Sequence, residues 1–167
     1  MGEEPVRTGR WADRIPPPIS WEQLEQAQED KTRREVIVED ALFKDVLGYL
    51  IECAFPPRND VLNTLLNSME LNDRARLACV LGLIQKGTMQ DLHRIHNIRN
   101  KWAHMELPDF SDKEWKRDVL ALSTVGSDSD KVTGKNYMNF FWQAVADCRK
   151  ALFQAITSPS PLSHSPK

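Results

Sequence analysis

The residues that could do chemistry are concentrated in one segment, 91–104, which reads Asp-Leu-His-Arg-Ile-His-Asn-Ile-Arg-Asn-Lys-Trp-Ala-His. Its apolar residues recur at steps of three, three and four, which is the spacing of one face of a helix. The basic residues, histidines and asparagines therefore project from the other faces of that helix. The apolar face consists of Leu92, Ile95, Ile98 and Trp102.

Arg99, Asn100 and His104 provide the groups needed to cleave RNA without a metal ion. A histidine exchanges protons near neutral pH, so His104 could serve as a general acid or base. An arginine binds phosphate oxygens through two parallel hydrogen bonds, and Asn100 could orient the phosphate or the ribose. On a regular helix, Arg99 and His104 lie ~140° apart around the axis and ~7.5 Å apart along it. A shared site therefore requires a distorted helix or a second protomer.

Other basic side chains surround this motif and form a candidate binding patch. The net charge of the chain is -2, whereas the segment 86–104 is locally basic, which suits a small anionic site better than a long nucleic-acid track. The pair His93-x-x-His96 could also hold a metal, but too few further ligands are near, so we expect no metal and no cofactor. The candidate patch consists of His93, Arg94, His96 and Lys101.

A purely structural interpretation of the motif is the alternative to chemistry. In that case Arg99 and His104 join neighbouring helices through hydrogen bonds to carboxylates or carbonyls. Acidic residues on a preceding helix are candidate partners for Arg99, although the pattern favours a solvated acidic face for them over a role in a site. They are Glu39, Asp40 and Asp45.

The composition indicates an ordinary globular protein. With 167 residues, 41% of them hydrophobic and 28% charged, the chain is long enough for one domain. The three cysteines are widely spaced in apolar helical contexts, which argues against a disulfide framework and fits a reducing compartment. No apolar run approaches ~18 residues, so we expect a cytoplasmic protein without a membrane partner.

The helical periodicity predicts an all-α fold, an irregular bundle of about six or seven helices. Residues 1–19 are charged and rich in proline and should form a disordered lead-in. Residues 20–157 should form a single helical domain. Residues 158–167 contain three prolines and four serines and should form a disordered tail.

The pattern also predicts individual elements. A polar helix over 20–30 should precede a long helix over 32–55, and a helix over 74–85, apolar almost all round, should be the most buried. Residues 123–134 should form a mobile surface loop. The last helix, 136–156, has two apolar stripes, which suggests an interface in a homodimer. The predicted core stripe of the helix 32–55 consists of Val38, Leu42, Val46, Tyr49, Leu50 and Cys53.

Three stretches together resemble the mannitol operon repressor (MltR) family: Leu-Gly-Leu-Ile at 81–84, Asp-Leu at 91–92 and Ile-Arg-Asn-Lys-Trp-Ala-His at 98–104. Trp102 stands where that family usually has Phe, and residues 39–47 look similar to its first long helix. The resemblance covers about 36–122 and implies a transcriptional or post-transcriptional regulator. The sequence shows no basic recognition helix, so we expect regulation through protein or nucleic-acid contacts without a helix that reads DNA.

The same Arg-Asn-x-x-x-His motif also resembles that of HEPN domains, which are all-helical and usually dimeric. Many of them are metal-independent endoribonucleases. This resemblance implies Arg99 and His104 as catalytic residues, assisted by Asn100, in a homodimer that pairs the two motifs and binds RNA. Three functions therefore stay open: an MltR-like regulator, a HEPN-type ribonuclease, and an interaction module in which the motif is structural.

Overall fold

The computed structural model describes residues 21–55, 60–104 and 113–157, with the side chains of 21–30 and of His104 left out. Six α-helices and no strands occur in these three ranges, which confirms the predicted all-α bundle. The predicted disordered segments, 1–19 and 158–167, lie outside the described residues. The helices are α1 (Trp21–Cys53), α2 (Asp60–Ser68), α3 (Leu71–Val80), α4 (Lys86–His104), α5 (Lys113–Leu120) and α6 (Tyr137–Thr157).

Helix α4 is at the centre of the bundle. It packs against α1, α3, α5 and α6. Its stripe Leu92, Ile95 and Ile98 is fully buried, and burying each such side chain stabilises the fold by about 1.5–3 kcal/mol. Trp102 continues the stripe and contacts the rings of Trp115 on α5, at 5.4 Å between centroids, and Phe141 on α6, at 5.8 Å. The sequence predicted this face correctly.

The helix predicted over 74–85 as the most buried one is wrong in both its extent and its burial. Helix α3 ends at Val80, whose side chain is 84% exposed. Gly82 then adopts φ +72°, and the N–H of Leu83 donates to the carbonyl of Ala78 at 2.9 Å, which is a common way for a helix to end. A glycine inside an apolar run therefore ends the helix, and α4 begins at Lys86.

Helix α1 differs from its prediction in two ways. It is continuous from Trp21 to Cys53, so the predicted break near residue 30 is absent. The predicted core stripe is also largely wrong, because Val38, Leu42 and Tyr49 are 54%, 48% and 54% exposed. Cys53 is exposed as well, Val46 is half-buried and only Leu50 is buried. The buried apolar face consists of Val36, Phe43, Leu47, Leu50 and Ile51.

Buried carboxylates explain why the face of α1 was mispredicted. Glu39 and Asp40 lie among the buried residues of the helix, where a pattern of apolar residues does not expect acids. Arg149 on α6 donates two hydrogen bonds to Glu39, one of them from Nε to Oε2 at 2.7 Å. Each carboxylate is therefore paired, which is the condition under which such groups are buried.

The segment between α5 and α6 is packed, in contrast to the loose surface loop predicted over 123–134. Val125 and Val132 are buried in the core, and a short 3-10 turn, Ser129–Lys131, lies between them. Ser123 donates hydrogen bonds from its backbone N–H, at 2.9 Å, and from its hydroxyl to Asp91 on α4. Val125, Val132 and the carboxylate of Asp91 therefore hold this segment in place, although its composition is typical of a loop.

Helix α6 uses both of its apolar stripes within the chain. Phe141, Val145 and Leu152 are buried, and Tyr137 and Phe140 pack partly against the same core. These two stripes therefore need no second copy to cover them, so the width of the apolar surface no longer supports the predicted homodimer. The homodimer itself stays a prediction.

Candidate functional site

Asp40 on α1 meets the polar face of α4 in a closed ring of four side chains. Its Oδ1 lies 2.8 Å from Nδ1 of His96, and its Oδ2 lies 3.7 Å from Nε of Arg99. Arg99 donates from Nη1 to Oδ1 of Asn100 at 2.7 Å, and Nδ2 of Asn100 lies 3.0 Å from Nε2 of His96. We call these four residues the Asp40 ring.

The hydrogen bonds of the Asp40 ring determine the tautomer of His96. A guanidinium can only donate, so the oxygen of Asn100 must face Arg99 and its amide nitrogen must face His96. Nε2 of His96 therefore accepts, and its proton is on Nδ1, from which it is donated to Asp40. Three of the four contacts are hydrogen bonds, whereas Nε of Arg99 and Oδ2 of Asp40 form an ion pair whose 3.7 Å separation is too long for a hydrogen bond.

The Asp40 ring is largely shielded from water. The side chains of Asp40 and His96 are 9% and 12% exposed, and that of Arg99 is 29% exposed. His96 and Asn100 are four residues apart on α4 and thus share one face. The packing of α1 on α4 brings the carboxylate to that face, and a buried carboxylate requires such partners.

Two of the three predicted catalytic residues belong to the Asp40 ring. Arg99 and Asn100 contact each other directly, whereas the side chain of His104 is outside the described part of the chain. The backbone of α4 is α-helical from Lys86 to His104, so positions 99 and 104 lie on different faces of the helix. The distortion that a shared site within one chain would need does not occur.

The predicted binding patch is divided among three environments. His96 belongs to the Asp40 ring, and Lys101 pairs with Glu114 at 3.3 Å and with Asp118 at 3.7 Å. Only His93 and Arg94 line a common pocket, on the side of α3. Within the described residues, no group of three His, Cys, Asp or Glu side chains is arranged to hold a metal ion.

Of the three acidic residues considered as partners of Arg99, the structure selects Asp40. Glu39 pairs with Arg149, and this hydrogen bond raises the pKa of Arg149 above its usual value. Asp45 is exposed. Sequence reasoning could not rank them, because only the rotation of α1 about its axis decides which carboxylate faces α4.

A small pocket lies between α3 and α4 and has a volume of about 150 Å³. Sequence reasoning missed its two residues from α3, because nothing in the local pattern indicates which side of α4 that helix covers. Burial lowers the pKa of His93 below its usual value, and nearby Arg76 lowers it further. The lining residues are Asn72, Arg76, Met89, Gln90, His93 and Arg94, and we call this cavity the α3–α4 pocket.

A larger open groove of about 600 Å³ lies where the C-terminal parts of α1 and α6 meet residues 82–88. Tyr49 and Cys53 line it from α1, and Ile156 lines it from α6. A hydrogen bond with Cys53 raises the pKa of Tyr49. Since Tyr49 also belongs to the exposed apolar residues of α1, the groove continues the surface that begins at Val38 and Leu42.

No protein-family model, curated protein or solved structure matches this chain. The resemblances to the mannitol operon repressor family and to HEPN domains therefore stay predictions. Among the helices that the structure describes, none combines the length and the apolar character needed to cross a membrane.

Proposed function

We propose that this chain is a helical regulatory protein, similar to the mannitol operon repressor family, that acts by binding another macromolecule. One observation carries this proposal: Arg99 and Asn100 are bonded to each other and to Asp40 and His96 in a closed ring. In this role the motif joins α1 to α4 and stabilises the surface that the partner contacts.

The Asp40 ring argues against catalysis by the motif. Arg99 donates to Asn100 from Nη1 and faces Asp40 at 3.7 Å, so a phosphate bound to its other donors would compete with a carboxylate that is 9% exposed for the same cation. Weakening the ion pair of a buried carboxylate is costly. In addition, Nε2 of His96 already accepts a hydrogen bond from Asn100, so the imidazole has no free nitrogen with which to remove a proton.

The position of α4 argues against direct reading of DNA. A recognition helix must insert one face into the major groove. Helix α4 packs against four other helices of the bundle, and its polar side chains Asp91, His96 and Lys101 bind groups of neighbouring elements. Such a helix cannot enter a groove without unpacking the core.

An exposed apolar row on α1 supports binding of a protein. Val38, Leu42 and Tyr49 are spaced by four and seven residues, so they lie on one face of the helix over ~16 Å. The row runs into the open groove at Cys53. Contiguous exposed apolar surface of this kind is typical of protein contacts, and we include a homodimer in the proposal as one use of it.

An RNA cleavage assay in EDTA tests this proposal. We expect no cleavage of structured or unstructured labelled RNA by the folded wild type, and we expect Arg99→Ala to lower the free energy of unfolding. Sedimentation of wild type against Leu42→Glu, with Val80→Glu as a matched exposed control, tests the α1 row. Cleavage that survives chelation and is lost in folded Arg99→Ala and His104→Ala would overturn the regulatory proposal.

A HEPN-type metal-independent endoribonuclease is the second candidate function. The observation that favours it is that Arg99 is held in one orientation by Asn100 while 29% of its side chain is exposed. In this candidate Arg99 contacts the phosphate and His104 transfers protons. Because α4 is regular, the histidine would come from a second protomer, so activity should rise with dimer concentration.

A further inference from the structure

The α3–α4 pocket combines two cationic side chains from different helices. Arg76 is on α3 and Arg94 is on α4, and both line the same cavity of about 150 Å³. At about 30 Å³ per water molecule, this volume holds roughly five water molecules. A phosphate group is smaller than five water molecules, so it fits in the cavity.

Both arginines keep donors for a ligand. Arg76 pairs with Asp73 at 3.5 Å, and Arg94 pairs with Asp91 at 3.2 Å. Each guanidinium has five N–H donors and these pairs use only a part of them. Asp91 also accepts two hydrogen bonds from Ser123, so its charge is shared between Arg94 and another partner.

His93 is an uncharged donor and acceptor in the same pocket. Its burial lowers its pKa, and the positive charges of Arg76 and Arg94 lower it further, with Asp118 acting in the opposite direction. The field of the two arginines at the imidazole is therefore positive, which is the field that attracts an anion. A neutral imidazole adds one N–H donor to this field.

Asn72 also lines the pocket, but its amide oxygen does not define the ligand. The Oδ1 atom is buried, has no hydrogen-bond partner within the protein and is not accessible to a water-sized group. The donors of the two arginines and of His93 therefore determine what the pocket binds, which is a ligand that accepts hydrogen bonds and carries negative charge.

We propose that the α3–α4 pocket binds a phosphate group, as inorganic phosphate or as a phosphate monoester. Arg76 and Arg94 bind the anionic oxygens through paired N–H groups. The imidazole of His93 donates one further hydrogen bond.

This site is independent of the proposed regulatory function. It shares no residue with the Asp40 ring or with the exposed row on α1, so either proposal can fail alone. It also assigns a ligand to His93 and Arg94, the two members of the predicted basic patch that lie together.

Isothermal titration of the full chain with inorganic phosphate at pH 7 tests the site, in chloride buffer at constant ionic strength. We expect saturable one-to-one binding. Ribose 5-phosphate distinguishes the two sources. Tighter binding than inorganic phosphate assigns a sugar phosphate, and weaker binding assigns the free anion.

Two variants assign the binding to this pocket. Arg76→Gln and Arg94→Gln should each weaken phosphate binding about tenfold or more, because each removes charge-assisted hydrogen bonds. The matched control Lys150→Gln, on α6, should bind as the wild type does. Since the side chain of Arg76 is 64% exposed, Arg76→Gln stays folded and is decisive even if another variant is unstable.

The proposal is overturned by either of two results. These are equal effects of Arg76→Gln and Lys150→Gln, and a titration without saturation, which would mean an adventitious ion only. A spectroscopic readout adds a positive test. Phosphate bound beside His93 should raise the pKa of that imidazole in a proton NMR titration, and Arg76→Gln should abolish the rise.

Discussion

The two halves of α4 use the same kinds of side chain in opposite ways. In the C-terminal half, His96 and Arg99 contact Asp40 on α1 and Asn100 lies between them, so that the four side chains form a closed ring. In the N-terminal half, His93 and Arg94 line a pocket together with Arg76 of α3. The first set faces protein groups, whereas the second set borders space that a ligand can occupy.

The difference between the two halves comes from the neighbouring helices. Helix α1 presents a buried carboxylate, Asp40, to the C-terminal half of α4. Helix α3 presents a second arginine and an asparagine to the N-terminal half, and its carboxylate Asp73 is exposed. Histidine and arginine at a helical spacing therefore do not define a site, since the facing helix decides whether their hydrogen bonds are available.

Removing the carboxylate of the Asp40 ring should have the largest effect on stability. Asp40→Ala leaves His96 and Arg99 without their anionic partner, and breaking a buried ion pair destabilises by about 3 kcal/mol at the lower end of the usual range. We choose the lower end because Arg99 is partly exposed. Urea unfolding measures the loss.

Asp45→Ala is the matched control for Asp40→Ala, because it removes an exposed carboxylate from the same helix. Its effect should stay within about 0.5 kcal/mol. Equal effects of the two substitutions would show that the Asp40 ring does not join α1 to α4.

Opening the Asp40 ring at Asn100 should have a smaller effect. Asn100→Ala leaves Nη1 of Arg99 and Nε2 of His96 without their protein partners, and each lost hydrogen bond accounts for about 1 kcal/mol. Partial solvation of Arg99 reduces the total, so we expect a loss of about 1–1.5 kcal/mol in urea unfolding. Asn97→Ala, a half-buried asparagine on the same helix, should be closer to neutral.

The pH dependence of stability should report on the N-terminal half of α4. The pKa of His93 is lowered in the folded state by burial and by Arg76, His96 and Arg94, against the opposite effect of Asp118. Above about pH 6.5, both folded and unfolded chains hold a neutral histidine. Below that pH the unfolded chain takes up the proton first, so stability falls until the pH reaches the folded-state pKa.

His93→Gln isolates this contribution from other titrating groups. Lowering the pH from 7.5 to 5 should reduce the free energy of unfolding of the wild type more than that of His93→Gln. Ten millimolar phosphate, if it binds in the α3–α4 pocket, should reduce this shift, because the anion favours the protonated imidazole. A difference that does not change with pH would contradict the account of His93.

The sequence predicted the centre of the bundle well and its periphery less well. The spacing of Leu92, Ile95, Ile98 and Trp102 identified the buried face of α4, because that stripe contains no polar residue. The same reasoning failed on α1, where Asp40 and its neighbour Glu39 are buried and paired. The spacing of apolar residues cannot reveal a buried carboxylate, because the residue that pairs with its charge lies more than fifty positions away in the sequence.

The candidate sites were predictable only in part. The sequence indicated that Arg99 and Asn100 act together and named Asp40 as one possible partner. It could not indicate that His96 completes the ring, or that Asn72 and Arg76 face His93. Those contacts depend on how α1 and α3 are rotated against α4, which local spacing does not determine. Catalysis by His104 stays a prediction.

The tautomer of His96 is the most direct test of the Asp40 ring. Long-range proton–nitrogen correlation NMR of the folded protein at pH 7.5 distinguishes the two ring nitrogens. We predict a proton on Nδ1, donated to Asp40, and an unprotonated Nε2 that accepts from Asn100. A proton on Nε2, or the averaged signals of an imidazole free in water, would contradict the ring and would leave His96 available for chemistry.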